Sequence, residues 1–128
     1  MILLDTHAWV WLASAPQNLS VDARAAMDSA ECLGVSAISP WEVAMLLAKG
    51  RIRVDIDIRI WVQAALALPK VTLVPLSPEA AILAVELRDG VNRDPADCII
   101  VATAISEGLN LISKDRHVRA FPGVLTIW

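Results

Sequence analysis

Short apolar segments alternate with helix-like segments along this chain, and that order restricts the folds it can adopt. Strands are predicted at residues 2–4, 33–38, 71–74, 109–112 and 124–127. The intervening segments carry helix start and stop signals, and the connections are short. Strands that alternate with helices in this way form a parallel sheet covered on both faces. We therefore expect a single three-layer α/β domain over residues 1–128, with a mostly parallel sheet of four to five strands.

Helix ends are marked by residues that satisfy free backbone groups. Predicted helix starts are capped by Thr6, Ser20, Ser77, Asp94 and Asp115. The segment Ser39-Pro40-Trp41-Glu42 has the form of a capping box with proline at the first helical position. A further helix is predicted over residues 57–68, and glycines 50, 90 and 108 are predicted to end three of the helices.

The composition is unusually apolar, with 56% hydrophobic residues and a mean hydropathy of +0.56 over 128 residues. No apolar run approaches the roughly 20 residues that a membrane-spanning helix needs. We therefore expect a well-filled core, a buried subunit interface and no membrane association. The first apolar run carries Asp5 and no basic leader, which is unlike a signal peptide. Only two cysteines are present, which favours a reducing cytoplasm over a disulfide framework.

Four acidic residues, Asp5, Glu42, Asp97 and Asp115, each lie where a predicted strand ends or a helix begins. The carboxyl ends of parallel strands meet at one edge of a sheet, where sites of open α/β folds gather. Four anions brought together there would repel one another. Carboxylate oxygens are the ligands preferred by hard cations such as Mg²⁺ or Mn²⁺, and such an ion would offset the repulsion. The pattern predicts a metal site that activates water.

Each acid also has a purely structural interpretation. Asp5, Asp97 and Asp115 could cap helices, and Glu42 fits the capping box by itself. Asp97, however, lies at the start of an apolar helix that is expected to be buried. A charge there needs a partner, because burying an unpaired charge is costly in free energy.

Polar and aromatic neighbours of the acids leave alternatives open. Thr6 and Ser113 could position water or a carboxylate, although capping is an equal alternative. His7 and His117 fit packing or an outer hydrogen bond better than direct metal ligation, and Asp94 fits best as an N-cap. Core or dimer contacts are favoured over base stacking for four tryptophans: Trp9, Trp11, Trp41 and Trp61.

The formal net charge of −3 argues weakly against a nucleic-acid protein. The argument is weak because bound divalent ions would neutralise the four acids. Basic residues then remain for phosphates or for a solvated surface, namely Arg51, Arg53, Arg93, Lys114, Arg116 and Arg119.

At these residues the chain resembles the PIN-domain ribonucleases, and among them the VapC-like toxins of type II toxin–antitoxin pairs. The similar segments are MILLDTHAWVWL, VSAISPWEVAMLLAKGRI, RDPADCIIVATA and LISKDRHVRAFPGVLTIW, in the family's order. The resemblance implies a PIN-like fold and a Mg²⁺- or Mn²⁺-dependent endoribonuclease. It maps the metal-site acids onto Asp5, Glu42, Asp97 and Asp115, and the family's serine or threonine near the last acid onto Ser113.

The resemblance also implies partners: an RNA substrate, a VapB-like antitoxin, a homodimer, and a heterotetramer or larger assembly with the antitoxin. Candidate RNA phosphate contacts are Arg93, Lys114 and Arg116. Two departures remove positive charge near the site. Many relatives have an arginine where Cys98 stands and a lysine where Leu46 stands. Two alternatives therefore stay open: a catalytically silent module that binds an antitoxin or RNA, and a metal-dependent DNA nuclease or phosphatase.

Overall fold

The computed structural model describes residues 1–88 and 94–128. Five strands are present in these ranges: β1 (Ile2–Leu4), β2 (Leu33–Ser36), β3 (Val71–Val74), β4 (Leu111–Ile112) and β5 (Thr126–Ile127). The α-helices are α1 (Thr6–Ser14), α2 (Val21–Ser29), α3 (Ser39–Ala48), α4 (Ile58–Leu66), α5 (Pro78–Leu87), α6 (Pro95–Glu107) and α7 (Arg116–Arg119). A 3₁₀ turn, Pro16–Asn18, follows α1.

The five strands form one parallel sheet in the order β3-β2-β1-β4-β5. The chain moves outward from β1 through β2 to β3, and then returns to the other side of β1 as β4. The strand order therefore reverses between β1 and β4, where a crevice opens beyond the carboxyl ends of the strands. This confirms the predicted α/β fold with a parallel central sheet.

Two hydrophobic clusters fill the two sides of the sheet. Alternate residues of β1 separate between them, because successive side chains of a strand point to opposite faces. Ile2 and Leu4 pack with α1, α2, α3 and α4, whereas Leu3 packs with α5, α6 and α7. The helices thus cover both faces, as predicted.

Helix starts were predicted well where the cap is local. The Ser20 hydroxyl accepts from the amide of Ala23 at 3.0 Å, and the Ser77 hydroxyl accepts from the amide of Ala80 at 3.1 Å. Two predicted starts were wrong. Asp5, not Thr6, caps α1. Helix α3 begins after Ile38 without a side-chain cap, so the predicted capping box is absent.

Several elements are shorter than predicted. Strands β2, β4 and β5 each lack residues at one predicted end, because neighbouring strands pair over only part of each apolar run. Helix α4 is shorter than predicted because Asp57 is its N-cap and Ala67 its C-cap. Gly50 and Gly108 adopt positive φ after α3 and α6, as expected for helix ends. The predicted end of α5 at Gly90 lies outside the described residues.

The tryptophans divide into two groups. Trp9 and Trp61 are buried, and their rings meet edge to face with centroids 5.1 Å apart, which confirms a core role for both. Trp41 is 53% exposed, so a core role is wrong for it, whereas a dimer contact stays a prediction. Within the described residues, no helix combines the length and apolar character needed to cross a bilayer.

Candidate active site

The four predicted acids line one pocket of about 260 Å³ at the carboxyl edge of the sheet. Asp5 directly follows β1 and Asp115 follows β4, the two strands at which the strand order reverses. Glu42 projects from the first turn of α3, and Asp97 from the first turn of α6. A fifth acid, Asp94, lines the same pocket. We call this space the acid pocket.

Asp5 is held rigidly at the base of the acid pocket. Its backbone amide donates to the carbonyl of Ile112 at 3.0 Å, and its Oδ1 accepts from the amide of Ala8 at 2.7 Å. The buried Ser113 side chain forms a further hydrogen bond with the Asp5 carboxyl. Burial nevertheless dominates and raises the pKa of Asp5 above its ordinary value, although these hydrogen bonds oppose the shift.

Glu42 is held by a polar group on the neighbouring helix α1. The Thr6 hydroxyl donates a hydrogen bond to the Glu42 carboxylate and also contacts Ser39 Oγ at 3.0 Å. Thr6 and Ser39 are both buried, so these contacts satisfy hydroxyls that water does not reach. Burial raises the pKa of Glu42, the Thr6 hydrogen bond opposes that shift, and the charges of Asp94 and Asp5 add to it.

The closest grouping of carboxylates joins α3 to α6. Glu42, Asp94 and Asp97 each offer an oxygen, and these oxygens all lie within 4.8 Å of one another. Burial raises the pKa of Asp97 to about 8, and the negative charges of Asp94, Glu42, Asp115 and Asp5 add to the shift. The four other acids of the acid pocket therefore all disfavour the charged form of Asp97.

The acid pocket fits a divalent cation. The three grouped donors, on Glu42, Asp94 and Asp97, are carboxylate oxygens, the ligand type that hard divalent ions prefer. Three of these carboxyls have raised pKa values, because burial and mutual repulsion disfavour their charged forms. A cation among them would reverse that penalty.

Capping and pocket roles coincide for three of the acids. Asp5 caps α1, Asp94 caps α6 by accepting from the amide of Asp97 at 3.1 Å, and Asp115 caps α7 by accepting from the amide of His117 at 2.7 Å. Each cap uses one carboxylate oxygen, and each carboxylate keeps acceptor sites beyond its cap hydrogen bond. The structural and metal-binding interpretations are therefore compatible at these positions.

Comparisons with known proteins agree with this geometry. The family model described as PIN domain matches residues 2–124. The chain belongs to the PIN-domain family.

Among curated proteins, the chain is 39% identical to "Ribonuclease VapC22" of Mycobacterium tuberculosis strain H37Rv over 129 aligned positions, which cover 99% of this chain and 98% of that protein. A toxin–antitoxin complex from Klebsiella pneumoniae contains a similar chain, with a TM-score of 0.66, 26% identity, and coverage of 98% of this chain and 97% of that one. The VapBC2 structure from Rickettsia felis, bound to a promoter DNA fragment, matches with a TM-score of 0.73, 16% identity and the same coverage, which shows a shared fold.

The two positions where the resemblance implied a basic residue have different surroundings. Cys98 is buried in α6, whereas Leu46 lines the acid pocket. Positive charge reaches the pocket from elsewhere. Among the described residues, the basic side chains that line it are Lys49 and Arg51, at the end of α3 and just beyond.

The residues predicted to contact RNA phosphates, and the two histidines, lie at different places relative to the acid pocket. Lys114 is exposed beside the aromatic ring of Trp11, Arg116 lines a separate cleft with Arg119, and Arg93 lies outside the described residues. His7 lines the acid pocket, whereas His117 is exposed and lies outside its lining.

The pocket residues that sequence reasoning missed include one acid, one base and one aromatic residue, namely Asp94, Lys49 and Trp41. Asp94 was missed because its capping role explained it fully. One signal was available for Asp94, since Asp94 and Asp97 are three residues apart at the start of a helix, where side chains share one face.

Proposed function

We propose that this chain is a Mg²⁺- or Mn²⁺-dependent endoribonuclease and the toxin of a type II toxin–antitoxin pair. The observation that carries the proposal is the convergence of Asp5, Glu42, Asp97 and Asp115 in one pocket at the strand-order reversal. The whole-chain similarity to a ribonuclease of the VapC group supports RNA as the substrate. Residues 1–128 would act as one catalytic domain.

Asp97, Asp5 and Glu42 would hold the ion, and Asp115 would complete its surroundings directly or through water. Asp94 joins them, since its carboxylate lies within reach of Glu42 and Asp97. When bound, the cation supplies positive charge at the scissile phosphate and makes a nearby water more acidic.

The protein's own hydrogen bonds fix the geometry. Thr6 orients the Glu42 carboxylate, and Ser113 orients that of Asp5. These hydroxyls need no movement when substrate arrives, so the carboxylates are preorganised.

Hydrolysis requires one bond to form and one to break at phosphorus. The oxygen of water attacks in line, the bond to the leaving ribose oxygen breaks, and a phosphate monoester and a hydroxyl result. Asp115, an exposed acid that lines the pocket, accepts the proton that the water loses, and the leaving ribose oxygen takes up a proton from solvent to become the hydroxyl. The pocket charges of Lys49 and Arg51 bind the RNA phosphates on either side of the cleaved one. These two bases take the place of the charge absent at Leu46 and Cys98.

The surface offers contacts for the two proposed protein partners. An apolar groove between α3 and α4, lined by Pro40, Ala44, Ile58 and Val62, fits an apolar segment of an antitoxin. On α5, Ile82 and Val85 are 63% and 70% exposed, which supports burial in a homodimer. A heterotetramer or larger complex would use both surfaces. Because RNA is the substrate, we expect the protein to act in the cytoplasm.

Cleavage by the purified protein tests the proposal. We expect cleavage of RNA with Mg²⁺ or Mn²⁺ and none with excess EDTA. Asp5→Asn and Asp97→Asn should nearly abolish cleavage while circular dichroism and unfolding remain cooperative. Asp22→Asn is the matched control, because Asp22 is an exposed acid on α2, away from the acid pocket, and should leave cleavage unchanged.

Two results would contradict the proposal. Equal cleavage by Asp97→Asn and the parent would remove the acid pocket from the reaction. Folded parent that binds Mn²⁺ but cuts no RNA would favour the silent module, and a preference for single-stranded DNA or a simple phosphate ester would favour the second alternative.

A further inference from the structure

A row of aromatic rings leads away from the acid pocket along one side of α1. His7 and Trp11 are four residues apart on the helix, with ring centroids 5.7 Å apart. Trp11 in turn lies 5.5 Å from the ring of Trp128, which follows β5. We call His7, Trp11 and Trp128, together with the adjoining Lys114, the aromatic strip.

The aromatic strip is continuous with the acid pocket. His7 is exposed and lines the pocket, directly beyond Asp5 and Thr6 in the chain. The parallel pairing of β1, β4 and β5 brings the strip to the carboxyl edge of the sheet, because Lys114 and Trp128 follow β4 and β5 there. The strip and the acids therefore share one surface.

A cation completes the strip. Lys114 Nζ lies 5.8 Å from the centre of the Trp11 ring, and its side chain is exposed. Packing against the core explains part of Trp11 and Trp128, which are only partly buried. It does not explain the exposed His7 ring or the exposed ammonium group beside them.

We propose that the aromatic strip is a base-stacking subsite for single-stranded RNA, in which a nucleotide next to the scissile phosphate stacks on His7 and Trp11 while Lys114 binds its phosphate. Aromatic faces accept any base, so the subsite holds the strand in register with little sequence preference. The inference rests on the proposed ribonuclease function and adds how the substrate strand is held.

Substitution at His7 separates stacking from charge. His7→Ala should raise KM for cleavage of a degenerate single-stranded RNA pool roughly tenfold, within the range known for loss of one base stack, with a smaller change in kcat. His7→Phe should restore the parent KM, because it keeps a ring and removes the titratable nitrogen atoms. Trp11→Phe should give an intermediate loss. Val21→Ala on α2 is the control for loss of exposed apolar surface and should have no effect.

Binding provides a readout that does not depend on cleavage. Fluorescence anisotropy of a labelled short oligoadenylate with Asp97→Asn protein should show weaker binding when His7→Ala or Lys114→Ala is added. With a strand of the same length that lacks bases, His7→Ala should make no difference, whereas Lys114→Ala should still weaken binding.

The outcomes distinguish this inference from the proposed function. If the parent cleaves RNA, but His7→Ala and Trp11→Phe match it in both KM and oligoadenylate binding, the aromatic strip is not a base subsite while the ribonuclease function stands. If His7→Phe fails as fully as His7→Ala, charge rather than stacking is responsible and the inference is wrong. The same holds if the strip residues alter antitoxin binding alone. A parent that cleaves no RNA refutes the proposed function instead.

Discussion

Replacing Asp97 with asparagine should make the metal-free protein more stable although it removes activity. The pKa of Asp97 is raised from 3.8 to about 8 in the folded state, so folding favours its protonated form. Stability from this group is fully present below pH 3.8 and is lost progressively as the pH rises toward 8. Near pH 7, before solvent screening is considered, the shift corresponds to about 4 kcal/mol of lost folding free energy. Because Asp97 is partly exposed, solvent screening reduces that loss, and we expect Asp97→Asn to raise the free energy of unfolding by about 1–2 kcal/mol.

Urea unfolding in EDTA at about pH 4 and about pH 8 measures this gain. The two proteins should have equal stability at the lower pH, and Asp97→Asn should unfold at higher urea at the upper pH. Adding Mn²⁺ at the upper pH should stabilise the parent and leave the variant nearly unchanged, because the ion relieves the repulsion that the variant lacks. Asp22→Asn should show no gain at either pH. The reasoning fails if Asp97→Asn is no more stable than the parent in EDTA near pH 8.

Three further predictions concern the support of the site and its substrate. Thr6→Val should leave Ser39 and Glu42 without the hydroxyl that contacts both, which should lower the free energy of unfolding by about 1–3 kcal/mol and remove most of the cleavage rate. Thr6→Ser should retain the stability and the cleavage rate, and equal activity of the two variants would contradict this prediction. Gly34→Ala should lower the free energy of unfolding, measured with heat or urea, by about 1–3 kcal/mol, because a Cβ there would lie 2.9 Å from Val74 Cγ2. An unchanged free energy of unfolding would contradict this, because it would show that Val74 can shift at little cost. Lys49→Ala combined with Arg51→Ala should raise KM and flatten the dependence of KM on salt, since both bases would contact phosphates; an unchanged salt dependence would exclude that role.

The fold could be predicted largely because its signals are local. Ser20 and Ser77 cap their helices through amides three residues ahead, and such contacts depend on a few neighbouring residues only. The predicted bounds of β1 and β3, which rest on apolar runs, agree with the observed strands to the residue. The ends of β2, β4 and β5 depend on the partner strands, which one sequence does not specify.

The acid pocket was predictable in its acids but not in its supporting groups. The strand-end and helix-start positions of Asp5 and Asp97 suggested a shared edge, and both line the pocket. The capping box at Ser39 and Glu42 failed because both side chains turn instead to Thr6 on another helix, a tertiary contact that competes with the local one. The position of Lys49 depends on how far α3 extends beside the pocket, which the sequence pattern leaves open.

In the proposed function, carboxylates from distant parts of the chain share one divalent cation. Anomalous diffraction from crystals of the parent protein soaked in Mn²⁺ tests this directly, because it locates the ion without relying on activity. We predict a peak in the acid pocket, in contact with Asp97 and at least one of Glu42 and Asp5, that disappears in Asp97→Asn crystals treated identically. A parent crystal with an open pocket and no Mn²⁺ peak there, or with the ion bound only elsewhere, would contradict the account.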